Sequence, residues 1–166
     1  MGKRVKERLR DIDIPIYLDN EAKLSLMAEM YFNEEIDDFK DGVYIYLSQG
    51  VGGALLINGH IFLGTSFTAG EIGHMSIYAD GPTCHCGNNG CWEEYTSIDT
   101  VVRKYESIGK TLEGKNFKEK FEKLISKSEK DKAAKDVLND MMHYLAVGIT
   151  NLTNIINPQF VMIGGM

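Results

Sequence analysis

Residues 70–93 read GEIGHMSIYADGPTCHCGNNGCWE, from Gly70 to Glu93. All three cysteines of the chain, Cys84, Cys86 and Cys91, fall inside this stretch, and one of the four histidines, His74, precedes them. Between Cys84 and Cys91 stand glycines and asparagines, residues of tight loops rather than of helices or strands. Three thiolates and one imidazole, close enough to meet through loop backbone, match the ligand set of a structural zinc site. The spacing His74-x9-Cys84-x-Cys86-x4-Cys91 is not that of a common zinc finger. It does let a loop fold back and close four ligands around one ion. Buried apolar cysteines are the plainer alternative, but a polar Gly/Asn loop offers them no core. A disulfide is the other. It would leave one cysteine over, and a C-x-C pair is poorly placed to bridge itself.

Upstream and downstream the chain reads as ordinary α/β protein. Its 166 residues suffice for one domain with a real core. Net charge is −6, which does not support a nucleic-acid surface. No run of apolar residues is long enough to span a membrane, and no apolar signal core follows the charged start. With unpaired thiols, these features point to a reducing cytoplasm.

Asp11 to Leu18 alternates, with Ile12, Ile14, Ile16 and Leu18 on one side, and is expected to be a strand with Pro15 near its edge. Asn20 is a good helix N-cap, and Leu24, Met27, Ala28 and Tyr31 recur at the spacing of a buried stripe. Val43 to Leu47 and Ala54 to Ile57 are strands, and Asn58-Gly59 predicts a tight hairpin into a return strand, His60 to Leu63. The expected core is antiparallel and local, with the glycine-rich Ser48–Gly53 loop at its mouth. Helices follow: Trp92 to Tyr105 with Ser97 a possible cap, a short one around Phe117, Phe121 and Leu124, and a long one that Ser128 and Asp131 open and Asn157-Pro158 stops. Gly148 inside the long helix suggests a close crossing. A last short strand runs from Phe160 to Ile163 and ends in Gly164-Gly165-Met166. Asn20 and Glu21 at one strand end, and Gly50, Gly52 and Gly53 at another, are placed where α/β proteins bind ligands. Helix capping and a bulged hairpin explain the same residues.

The run GEIGHMSI, then DGP, then C-x-C-G-x2-G-C-x-E resembles the signature of the ROK family (repressors, open reading frames and kinases). With an Asn-Glu-Ala run upstream, the chain looks most like the family's xylose-type and NagC-like repressors, in their C-terminal part. The resemblance implies an actin-like sugar-kinase fold, related to Hsp70 and ribonuclease H, here incomplete and mainly the C-terminal lobe with its zinc loop. It implies that residues 1–166 form one incomplete sugar-binding domain. It also implies a monosaccharide held by Asn20, Glu21, Glu71, His74 and Glu93, with His74 shared between sugar and zinc. The metal would be structural, pinning the loop that carries Glu93.

Three departures from the family's kinases bear on catalysis. Glu21 stands where they carry the aspartate base. Ser48-Gln49-Gly50 replaces their Gly-Thr-Gly phosphate loop, leaving Gly50, Gly52 and Gly53 as its remnant. The Asp-x-Gly-x-Thr loop is missing, although Gly164-Gly165 matches the adenosine side. A repressor's winged helix-turn-helix is missing too. The resemblance therefore implies a non-catalytic, sugar-sensing module that dimerises and reaches DNA only through a further N-terminal domain. A fragment of an ATP-dependent sugar kinase is the second expectation.

Overall fold

A computed structural model describes residue 5, residues 7–36 and residues 38–165. The basic residues Lys3, Arg4 and Lys6 lie outside them. The elements are α1 (Glu21–Phe32), β1 (Gly42–Leu47), β2 (Val51–Ile57), β3 (His60–Ile61), α2 (Glu93–Thr96), α3 (Ile98–Ser107), α4 (Phe117–Ser128), α5 (Lys132–Ile156) and β4 (Phe160–Gly165). Single 3-10 turns occur at Glu34–Ile36 and Ile72–His74.

One sheet with strand order β3-β2-β1-β4 forms the middle layer. β1, β2 and β3 make an antiparallel meander, and Asn58 and Gly59 at its second turn both have positive φ. β4 returns through the helices to lie parallel to β1, so the sheet is mixed rather than wholly antiparallel. β1 is buried on both faces. Val43 and Ile45 pack with Val51, Trp92, Leu145 and Leu152 beneath α5, while Tyr44 joins Ala22, Leu26 and Leu56 beneath α1. Each fully buried aliphatic side chain contributes about 1.5–3 kcal/mol, which makes β1 the centre of the fold. A further apolar cluster, including Val102, Tyr105, Leu124 and Val137, ties α3, α4 and α5 together. None of the described helices is long and apolar enough to cross a membrane.

Several expectations change on contact with the structure. Residues 11–18 form no strand: Ile14 is 68% and Tyr17 89% exposed. Alternation signals one buried face, but a strand also needs a neighbour for its backbone groups, and Pro15 offers no N–H. The buried stripe of α1 is Ala22, Lys23 and Leu26, not Leu24, Met27, Ala28 and Tyr31. Both sets have helical spacing, so periodicity cannot choose between them. In the first set Ala22 and Leu26 pack on Tyr44, Ala54 and Leu56 of the sheet, while buried Lys23 donates from Nζ to the Phe67 carbonyl at 2.8 Å. The return strand β3 is only two residues long. The helix expected from Trp92 to Tyr105 breaks at Ser97, whose extended backbone starts α3 while its hydroxyl accepts the Thr100 N–H. Ser128 closes α4 instead of opening α5, and the cap of α5 is Asp131. Left-handed Asn157 and then Pro158 end α5 as expected.

Asp131 also accepts from Tyr105 Oη at 2.8 Å and from Lys110 Nζ at 3.1 Å, joining α3 to the start of α5. The tyrosine hydrogen bond and then the lysine hold its carboxyl down to about 2. The folded value lies below the unfolded one of about 4. The stabilisation is therefore complete above pH 4 and lost as pH falls through 2. Asp131→Asn is expected to flatten the stability profile between about pH 4 and 2 in acid-titrated melts, and an unaltered profile would contradict this assignment.

Candidate functional site

The segment between His74 and Glu93 is a compact hairpin-like loop. Isolated bridges pair Ser76 with Cys91 and Thr83 with Asn89. Cys84 N–H donates to the Asn88 carbonyl at 2.8 Å, and Gly87 N–H donates back to the Cys84 carbonyl at 2.9 Å. Gly90, at φ 65°, passes so close to the Tyr78 carbonyl that no side chain fits there. Trp92 anchors the loop in the core. It is fully buried, and its Nε1 donates to the Tyr144 carbonyl of α5 at 2.8 Å. The expected close approach at Gly148 is to this indole, on which an added Cβ would land. The chain thus enters the protein between Cys91 and Glu93 and carries both to fixed places.

His74, Cys84, Cys86 and Cys91 bring one donor atom each to within 4.8 Å of one another. Cys84 Sγ stands 3.6 Å from His74 Nδ1, and Cys86 Sγ stands 3.6 Å from Cys91 Sγ. Zn–S bonds of about 2.3 Å place tetrahedral sulfurs roughly 3.8 Å apart, so donor chemistry and spacing both suit a four-coordinate zinc ion. The three thiols are free. Burial pushes the thiols of Cys84 and Cys91 up, whereas the Asn88 N–H draws exposed Cys86 down. A cation at their centre would offset the cost of burying the thiolates it binds. Bound there, zinc would supply cross-linking of the loop. His74 and the three cysteines would hold it.

Glu93 stands beside this set. It is 8% exposed, and its Oε1 accepts from Cys84 Sγ at 3.0 Å and lies 3.2 Å from His74 Nδ1. A Cβ at Gly50 would reach within 3.2 Å of its Oε2, so the turn at Ser48–Gly50 borders the carboxylate; Val51, Gly52 and Gly53, expected in the loop, are instead paired with β1 as the start of β2. Gly52 faces Ala22 and Tyr46, and Gly53 faces Ile72 and the Gly70 carbonyl. These glycines let α1 and the 3-10 turn close onto β2. Asn20 caps α1, its Oδ1 accepting from Ala22 N–H at 2.9 Å and Lys23 N–H at 3.3 Å. Glu21 accepts from Tyr46 Oη at 2.7 Å, which raises that tyrosine's pKa. Glu71 is exposed at the start of the 3-10 turn and caps nothing with its side chain. The structure therefore groups His74, Glu93 and Gly50 with the cysteines. Glu21 joins Gly52 through Tyr46, and Asn20 stands next to it as the helix cap.

The ROK family model matches residues 3–166 of this sequence. The chain belongs to the ROK family. Its curated ROK relatives include the xylose repressor of Bacillus subtilis (strain 168), 33% identical over 152 residues, which cover 91% of this chain and 38% of the repressor. They also include the glucokinase of Halalkalibacterium halodurans, 29% identical over 172 residues, which cover 97% of this chain and 52% of the enzyme. Among solved structures, a ROK family glucokinase from Streptomyces griseus in complex with glucose and AMPPNP superposes with a TM-score of 0.81 at 24% identity, over 98% of this chain and 55% of that one. The α/β architecture with its mixed sheet is thus the ROK sugar-kinase fold. This chain spans well under half of the repressor's length and about half of each glucokinase.

Two neighbours of the ROK loop were not singled out in the sequence. His85, between the two cysteines, places Nδ1 3.3 Å from Glu93 Oε1. Its position between Cys84 and Cys86 was the available signal, because a histidine there brings a further nitrogen donor next to the cysteines. Tyr46 holds Glu21, and strand alternation alone gave its hydroxyl no partner.

Proposed function

We propose that this chain is the effector-sensing part of a ROK transcriptional repressor. It binds a monosaccharide through Asn20, Glu71, His74 and Glu93, with Glu21 at the edge of the pocket and a structural zinc ion holding the loop. The observation that carries this reading is the place of the nearly buried Glu93, set beside His74 and the cysteine loop by the fully buried Trp92, with a glycine turn alongside. That arrangement fixes a nearly buried carboxylate at the mouth of β1 and β2. A carboxylate so held accepts hydrogen bonds from vicinal sugar hydroxyls without first losing side-chain entropy. The sequence kinship to xylose repressors supports a regulatory role. Dimerisation and the attachment of a DNA-binding domain belong to the same proposal.

Glu93→Gln is expected to weaken sugar binding by about 1–3 kcal/mol, since the amide nitrogen cannot accept the bonds the carboxylate takes. Retained zinc in that variant, checked by elemental analysis, separates lost recognition from a collapsed loop. Unchanged affinity would place the pocket elsewhere.

The kinship to glucokinases gives the second reading, a kinase. Against it stands Glu21, one methylene longer than the family's aspartate base and tied to Tyr46. A shift of the base by about 1 Å can cost on the order of 100-fold in rate. Gln49 adds a long amide where phosphate oxygens would need backbone N–H groups. A coupled assay with ATP and several aldoses is expected to show no sugar-dependent ADP release. Turnover in that assay would restore the kinase reading.

A further inference from the structure

We propose that the loop carries a second, weaker cation site beside the first, built from Cys84, His85, Glu93 and Glu94, and that a cation bound there competes with sugar for Glu93. One donor atom from each of these four residues lies within 4.8 Å of the other three. His85 Nδ1 is 3.7 Å from Cys84 Sγ and 3.3 Å from Glu93 Oε1, and Cys84 Sγ is 3.0 Å from that same oxygen. One thiolate, one imidazole and two carboxylates suit a borderline divalent cation such as zinc. Cys84 belongs to both donor sets, and a thiolate has lone pairs enough to bridge two ions.

The geometry also ranks the two sites. The first has three thiolates, two of them on buried cysteines. The second has one shared thiolate and opens to solvent through His85, whose side chain is 75% exposed. A second ion there would therefore bind more weakly and exchange faster. Glu93 and Glu94 occupy the first turn of the short helix α2, which the buried Trp92 fixes against α5, so the backbone that carries both carboxylates is held in place before any ion arrives. His85 needs no other explanation from the first site, because His74 already completes it.

The competition follows from Glu93 Oε1. That oxygen faces Cys84, His74 and His85, while Oε2 faces Gly50. An ion bound at Oε1 withdraws its negative charge and crowds the approach to it, so a sugar hydroxyl accepted there is held more weakly. This half of the proposal rests on the sugar-binding reading; the metal half does not.

The test uses the full chain, free of any affinity tag and loaded with one equivalent of zinc. Further zinc is titrated against a chromophoric chelator in the wild type, His85→Ala and Glu94→Gln. A second, weaker equivalent is expected in the wild type, weakened about tenfold or more in each variant, with the first equivalent unchanged. A single equivalent in the wild type, or a second one indifferent to His85→Ala, overturns the site. Xylose and glucose are then titrated at one and at two equivalents of zinc. Weaker sugar binding at two equivalents, with the difference abolished by His85→Ala, supports the competition; equal affinity at both overturns it. Failure of every sugar at one equivalent counts against the sugar-binding reading and leaves the stoichiometry to decide the metal site.

Discussion

Cys86→Ser is expected to abolish tight zinc binding and to lower the melting temperature by about 10 °C or more. The substitution is informative because Cys86 is exposed, unlike Cys84 and Cys91. Replacing its sulfur with oxygen empties no core cavity, so lost stability reports lost metal. Structural zinc in small peptides is worth about 10–16 kcal/mol, comparable to the entire 5–15 kcal/mol stability of a folded domain. Even half of that, at roughly 2–4 °C per kcal/mol for a chain of this size, gives the stated shift. Elemental analysis and differential scanning calorimetry on wild type and variant measure both quantities. A wild-type protein purified without chelators that holds no zinc, and melts like the variant, would remove the metal from the account.

Trp92→Ala is the second large effect, at about 3–5 kcal/mol. The indole is fully buried, fills the space above Gly148 and donates to the Tyr144 carbonyl. Its loss leaves a cavity between the sheet and α5 that neither side can close, because β1 is buried on both faces. The residue lies between Cys91 and Glu93, so zinc affinity is expected to fall along with stability. Gly148→Leu attacks the same contact from α5 by overpacking and is expected to cost at least about 1–3 kcal/mol. Trp92→Leu combined with Gly148→Ala exchanges volume across the contact, and a melting point above that of either Trp92→Ala or Gly148→Leu is the expected outcome. Additive losses would show that the two residues do not share one packing site.

The parts of the fold that could be read from the sequence are those where one residue type answers one local requirement. Asn58-Gly59 supplies two positive-φ positions, Ser97 a hydroxyl cap, and Pro158 a stop. The gathering of His74 with the three cysteines was equally legible, since the glycines and asparagines between Cys84 and Cys91 call for tight turns. What could not be read depends on partners distant in sequence. The alternation of residues 11–18 resembles a strand, yet no described strand pairs with it. The helix α1 carries two helical stripes, and the partners of the buried one, Tyr44, Ala54 and Leu56 of the sheet and the Phe67 carbonyl 44 positions away from Lys23, are distant in sequence. Parallel pairing of β4 with β1 spans the whole helical half of the chain. At the site, His74 and the cysteines stood out by spacing, but the meeting of Glu93 with His85 depends on how the turn at Gly87 folds.

If a zinc-held loop keeps Glu93 ready for sugar, calorimetric titration of the zinc-loaded chain with a panel of aldoses gives saturable binding of at least one aldose at one site per chain, weakened in Glu93→Gln by about 1–3 kcal/mol while the zinc stays bound. Heats of dilution alone across the panel, or an aldose whose affinity ignores Glu93→Gln, would contradict it.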